Sequence, residues 1–192
     1  MDIWTKLAAY SCLETERVLL RPVVFSDSKA FYEFASQPAN LDFIFPSQAS
    51  MEESQFTLAN YFMKEPLGIW AIADKKTDYM LGCIKLEKLQ TVSRQAELGY
   101  FISKEVRGQG IMTEVVKNIT YLCFEEFGLR QLSIVTHVEN RPSQRVAEKA
   151  GYRLFRQFRG SDRYSKRMRD YLEFRMSRGD FYEQTSTNSD LS

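Results

Sequence analysis

Histidine and cysteine are scarce in this chain. Among 192 residues there is one histidine, His137, and there are three cysteines, Cys12, Cys83 and Cys123. An odd number of cysteines without a Cys-x-x-Cys spacing supports neither a disulfide framework nor a zinc knuckle. Free thiols in a reducing, cytoplasmic setting are the expectation. A single histidine makes a multi-histidine metal site and a Ser-His-Asp triad poor readings, and no metal is expected. No apolar run approaches the roughly 18 residues of a membrane span, and Met1 to Tyr10 lacks the apolar core of a secretory signal, so no membrane association is expected. Neither charge dominates: 26 Lys plus Arg face 25 Asp plus Glu, for a net charge of +1. That balance lacks the bulk positive field of a duplex-binding domain, and no specific nucleic acid partner is expected.

What the chain does have is an ordinary globular composition, 44% hydrophobic and 27% charged. Its length corresponds to roughly one domain. The sequence divides into a loosely attached lead-in over 1–14, a folded body over 15–180, and a polar tail over 181–192. The Ser/Thr-rich stretch from Gln184 to Ser192 predicts disorder. Arg17 to Pro22 predicts a strand. Ser26-Asp27-Ser28 offers helix-capping chemistry ahead of Ala30, Phe31, Phe34 and Ala35, which share one helical face. Ser50 and Glu53 form a capping box for a second helix ending near Met63. Strands follow at Gly68–Ala73, Met80–Leu86 and Ala96–Ile102. A long helix is predicted over Met112–Phe127, with Val115, Val116, Ile119, Leu122 and Cys123 on its apolar side. A β-branched strand from Gln131 to Val138 comes next, then a helix from Pro142 to Ala150. Two final strands, at Tyr152–Phe158 and Tyr171–Met176, complete an α/β pattern.

The richest segment is Arg107-Gly108-Gln109-Gly110-Ile111-Met112-Thr113-Glu114, between a strand and a helix. Two glycines one residue apart allow a tight turn with outward amides, and the helix start adds unsatisfied N–H groups and a positive dipole end. Such a turn suits a diphosphate. It lacks the Gly-Lys-Ser/Thr of a Walker loop and the third glycine of a Rossmann fingerprint. By itself it is also compatible with a plain strand-to-helix turn.

Arg107-x-x-Gly110, preceded by Glu97-Leu98-Gly99-Tyr100-Phe101-Ile102, resembles the acetyl-CoA loop of the GNAT superfamily of N-acetyltransferases. Asn140-Arg141-Pro142-Ser143 through Ala150-Gly151-Tyr152 is similar to the strand-helix-strand segment that follows in that superfamily. The likeness spans roughly residues 15–180 and is nearest the branch that acetylates ribosomal-protein N-termini (RimJ/RimL-type). It implies a single GNAT-like domain, α/β, with a mixed, mostly antiparallel sheet that splays at its centre between flanking helices.

The resemblance also implies acetyl-CoA as cosubstrate. The Arg107-Gly108 turn and the amides of Gln109, Gly110, Ile111, Met112 and Thr113 would hold its diphosphate. Phe101, Ile102 and Ser103 would present an unpaired strand edge to the pantetheine amides, with Asn140 and Ser143 on the same arm. Met112 stands where the superfamily prefers glycine or alanine, and Ala147 where many members carry a tyrosine general acid. An alkyl ammonium must lose a proton before it can attack a thioester, and Glu97 is the first candidate for that base. Ser143 is a candidate proton donor, and Asp162 could orient or deprotonate the amine.

The implied reaction is direct acetyl transfer to a primary amine in a ternary complex, most readily a protein N-terminal α-amine. A small-molecule amine acceptor and a non-catalytic CoA-binding module remain as alternatives, and a monomer and a homodimer are both compatible with the sequence. Each residue also has a plainer reading. Glu97 could be a solvated strand residue, Ser143 and Asn140 helix-cap residues, and Asp162 a loop residue. Most of Phe31, Phe34, Phe43, Phe45, Tyr61 and Phe62 should be core. The basic run from Arg153 to Arg169 reads first as a solvated face, or as a surface steering an acidic partner. Acceptor-side loops are expected at Ala39–Ser50 and Arg159–Arg169.

Overall fold

The computed structural model describes residues 2–38, 43 and 45–189; part of the expected Ala39–Ser50 loop, at 39–42 and 44, lies outside them. Eight strands, β1 (Leu13–Glu14), β2 (Val18–Arg21), β3 (Ile69–Asp74), β4 (Met80–Gln90), β5 (Gln95–Ile102), β6 (Gln131–His137), β7 (Arg153–Ser161) and β8 (Met168–Ser177), form one open sheet in the order β1-β2-β3-β4-β5-β6-β8-β7. The described residues fall into two compact units, 1–85 with 100–115 and 86–99 with 116 onward. Strands β4 (Met80–Gln90) and β5 (Gln95–Ile102) and helix α4 (Ile111–Glu125) run from one unit into the other.

The first unit opens with α1 (Ile3–Ala9), then β1 (Leu13–Glu14) and β2 (Val18–Arg21). The lead-in is therefore not loose. Asp2 caps α1 by accepting from the Trp4 and Thr5 amides, Leu7 is fully buried, and the Tyr10 carbonyl receives Trp70 Nε1 at 2.9 Å. In β2, Val18 and Leu20 alternate inward, as a strand with one covered face requires. It pairs antiparallel with β3 (Ile69–Asp74), Leu20 opposite Ile72. Strand β3 pairs antiparallel with β4, with a register shift at Ile72/Ala73.

Helix α2 (Ser28–Ala35) buries Phe31 and Phe34 against Phe62 and Phe101; the Phe34 and Phe101 rings stack at 4.8 Å. Each phenylalanine removed from water contributes about 1.5–3 kcal/mol. Phe43 and Tyr61, by contrast, are exposed. Helix α3 (Met51–Leu58) starts at Ser50 as predicted, with Glu53 N donating to Ser50 Oγ, but the Glu53 carboxylate reaches back to the Ala49 amide. A π-helical turn from Ala59 to Met63 ends it.

In the second unit, β5 pairs parallel with β6 (Gln131–His137), the register running from Gln95–Gln131 to Glu97–Ser133. Strand β6 pairs antiparallel with β8 (Met168–Ser177), and β8 with the edge strand β7 (Arg153–Ser161). Both final strands are longer than predicted. Helix α5 (Arg141–Lys149) lies between β6 and β7 in sequence.

The tail also departs from expectation. Residues Arg178–Ser189 form helix α6, so the stretch expected to be disordered is helical from Gln184 to Ser189, and its last part, 190–192, lies outside the described residues. Ser177 and Asp180 exchange hydrogen bonds at its start, Phe181 packs on Phe124 at 5.3 Å, and Gln184 Nε2 donates to the Gly151 carbonyl at 2.9 Å. These tertiary contacts offset the weak helix preference of the Ser/Thr-rich sequence. No helix among the described residues is long and apolar enough to cross a membrane.

Candidate functional site

In the first unit, a short 3-10 turn over Lys104–Val106 leads from β5 into the glycine turn. Gly108 and Gly110 have φ of +77° and +82°, a region that side-chain-bearing residues rarely adopt. A Cβ added at Gly108 would meet nothing within 4 Å, so its surface is open to a ligand. Side chains hold the turn from below. Arg107 Nε donates to the Ile102 carbonyl at 3.1 Å, and Gln109 Nε2 to the Glu105 carbonyl at 3.3 Å. Ser103 Oγ is hydrogen-bonded to Glu105. Ile111 and Met112 bury their side chains, which leaves their backbones as the groups available to a ligand. Helix α4 begins there, where amides lack intrahelical acceptors. The expected contact residues thus divide. Arg107–Gly110 are exposed, Phe101 packs its ring into the aromatic core, and Ile102, Ser103 and Thr113 are half-buried.

One residue of this turn was not singled out in the sequence. Arg17 donates from Nη1 to the Gln109 carbonyl at 2.5 Å and from Nε to Glu114 Oε2 at 2.6 Å. It lies 92 and 97 positions from these partners. No local spacing could have disclosed that contact.

The second unit carries the other candidates. Glu97, half-buried, sits opposite Ser133 at the end of the β5–β6 ladder and forms an ion pair with Lys88 Nζ at 2.7 Å. That pairing across the β4–β5 hairpin is the kind a cross-strand register could suggest. Asn140 caps α5, its Oδ1 accepting from the Ser143 amide at 3.3 Å. Buried Gln144 donates to the His137 and Val138 carbonyls at 3.1 and 2.7 Å and so satisfies the end of β6. Ala147 is fully buried. Tyr152, five residues on, is also buried and hydrogen-bonded to Thr120 Oγ1.

Asp162 heads the β7–β8 turn, accepting from the Ser165 amide at 2.6 Å and the Tyr164 amide at 3.1 Å. The Ser165 bonds lead in holding its carboxyl below the usual range. His137 Nε2 lies 3.7 Å from Asp162, and burial pushes the imidazole pKa down against the pull of that carboxylate. Parts of the basic run are paired within the unit: Arg156 with Glu173, Arg163 with Glu87, and Arg153 with Asp180. All three cysteines are free thiols; burial pushes the Cys123 thiol pKa up, away from nucleophilic use.

The domain is thus a mixed α/β sheet in which a strand leads through an open glycine turn into a helix, a geometry suited to an anion. Residues 17–153 match the family described as Acetyltransferase (GNAT) domain, and the chain belongs to that family. It is an acetyltransferase, transferring acetyl groups to amines, and the family uses acetyl-CoA. Among curated relatives, the uncharacterized N-acetyltransferase YoaA of Bacillus subtilis (strain 168) is 26% identical over 147 residues, 74% of this chain and 83% of YoaA. The ribosomal-protein-serine acetyltransferase of Escherichia coli (strain K12) is 28% identical over 79 residues, 41% of this chain and 44% of that protein. Among solved structures, a GNAT-family acetyltransferase from Bacillus anthracis superposes with a TM-score of 0.77 at 21% identity, covering 88% of this chain and 99% of that one. The expected fold is thereby confirmed.

Proposed function

We propose that this acetyltransferase modifies a protein N-terminal α-amine, with the Gly108–Gly110 turn binding the CoA diphosphate. The observation that carries the cosubstrate reading is the pair of positive-φ glycines opening α4, with unobstructed space beside Gly108. The similarity to the E. coli ribosomal-protein-serine acetyltransferase supports the acceptor class. Acetyl-CoA, when bound, supplies the thioester carbonyl that the amine attacks.

In this reading the amides from Gln109 to Thr113 and the Arg107 cation bind the diphosphate. The end of β5 at Phe101, Ile102 and Ser103 offers its edge to the pantetheine amides, as an added strand would, although the Ser103 N–H, already given to the Leu81 carbonyl at 2.7 Å, is not among the groups it offers. Asn140 orients the same arm while capping α5. Glu97 accepts the proton of the incoming ammonium; Lys88 holds its Oε2 and leaves Oε1 outside that bond. Ser143 donates toward the departing sulfur. Asp162, already accepting from two backbone amides, orients the amine electrostatically more readily than it takes a proton.

A thiol-release assay decides the acceptor. Peptides with free N-termini should show kcat/KM about tenfold or more above polyamines and amino sugars, and N-terminally blocked peptides should be inert. Equal or better turnover of a small amine would replace the N-terminal reading with the small-molecule one. Tight CoA binding without turnover of any amine would favour a binding module.

A further inference from the structure

We propose that Arg17 is a positioning residue for the CoA turn, fixing the direction of a loop amide and cancelling the Glu114 charge beside it. This rests on the assignment of that turn to the CoA diphosphate made above. Arg17 immediately precedes β2, whose Val18 and Leu20 are buried, so its backbone is firmly placed. Its guanidinium makes two separate contacts: Nη1 to the Gln109 carbonyl at 2.5 Å and Nε to Glu114 Oε2 at 2.6 Å. Its backbone amide donates to Glu114 Oε1 at 3.0 Å.

The first contact sets geometry. The Gln109 carbonyl and the Gly110 N–H belong to one trans peptide, so they point in opposite directions. Drawing the carbonyl onto Arg17 aims the Gly110 N–H away from Arg17. Without this hold, glycines on either side of Gln109 leave the peptide plane free to rotate.

The second contact sets charge. Glu114 lies in the first turn of α4, and its side chain is only 14% exposed. Burial alone would raise its pKa, but bonds from Thr15 and Arg17 outweigh that and keep it charged. A lone carboxylate there would repel a diphosphate through poorly screened surroundings. Arg17 removes that repulsion, and its Nη2 stands 3.4 Å from the position a Gly110 Cβ would take.

The test is calorimetric titration of the full chain with CoA, with melting curves recorded alongside. Arg17→Ala should bind CoA about tenfold more weakly, because both the peptide orientation and the charge compensation are lost. Adding Glu114→Gln to Arg17→Ala should recover about threefold of that loss, because the uncompensated charge is gone. A merely structural clasp predicts no recovery, since the second change removes a further hydrogen-bond partner. In kinetics, KM for acetyl-CoA should rise while kcat stays within about twofold. If Arg17→Ala fails to fold, Arg17→Lys reads the same effect. It keeps the charge but cannot span both partners, so its affinity should fall by about threefold. Binding by Arg17→Ala, or by Arg17→Lys where only that variant folds, within twofold of the unmodified protein would overturn the proposal, as would a double variant no tighter than Arg17→Ala. Failure of the unmodified chain to bind CoA would instead remove the assignment of the turn itself.

Discussion

Glu97 and Lys88 face each other across the β4–β5 hairpin, Oε2 to Nζ at 2.7 Å, with the carboxylate 15% exposed and the ammonium 62% exposed. Lys88 has φ of +49°, a region uncommon for a lysine inside a strand. The pair places a half-buried carboxylate where the β5–β6 register stops, and that carboxylate is the base of the function proposed above.

Glu97→Gln should therefore lower kcat about a hundredfold while CoA affinity stays within about twofold, the signature of a lost general base. Lys88→Met leaves the carboxylate in place and should retain about half or more of the turnover. Steady-state kinetics with calorimetry on the same preparations separates the two. Full activity in Glu97→Gln would take this residue out of the chemistry.

Gly110→Asp should weaken CoA binding about tenfold or more, because its carboxylate adds negative charge at the turn and competes for the Arg17 guanidinium, whose Nη2 lies 3.4 Å from the Cβ position. Gly110→Ala adds only the backbone strain of a side chain at φ +82° and should cost less. Unchanged affinity in the aspartate variant would place the diphosphate elsewhere.

Much of the fold could be read locally. The stripe of Val115, Val116, Ile119 and Leu122 announced α4, and all four are buried. Ser50 announced the start of α3. Helices α1 and α6 could not be read this way, because their order comes from distant contacts such as Tyr10 with Trp70 and Phe181 with Phe124. The site divides likewise. Glycines that must take positive φ leave a mark in the sequence, so the turn was visible. The partners of Glu97 and Gln109 depend on strand register and on contacts between distant segments, which composition and spacing do not encode, whereas Asp162 is held by the nearby Tyr164 and Ser165 amides.

Arg21 and Asp27 form a bidentate pair at 2.9 Å, with side chains 11% and 5% exposed, and Asp78 takes Arg21 Nε at 2.6 Å. Both carboxylates, Asp27 foremost, push the guanidinium pKa up. Asp27→Ala strands much of that charge and also frees the Val24 amide, so it should cost about 3 kcal/mol. Urea unfolding monitored by circular dichroism measures this. A loss below about 1 kcal/mol would show that Asp78 or water compensates.

Glu173 gives the clearest pH dependence. Its side chain is 8% exposed, and burial by itself would raise its pKa. Arg175 and Arg156, at 2.5 and 2.6 Å, more than offset this and hold the value below the ordinary 4.5. A carboxylate whose folded pKa lies below its unfolded one stabilises the fold above the unfolded value and loses that contribution as pH falls through the folded one. The unmodified protein should therefore melt higher than Glu173→Gln at pH 7, and the difference should close on acidification below 4.5. Melting curves of both proteins from pH 7 down to pH 3 give the comparison. A gap that stays constant across that range would mean the pair contributes through packing rather than charge.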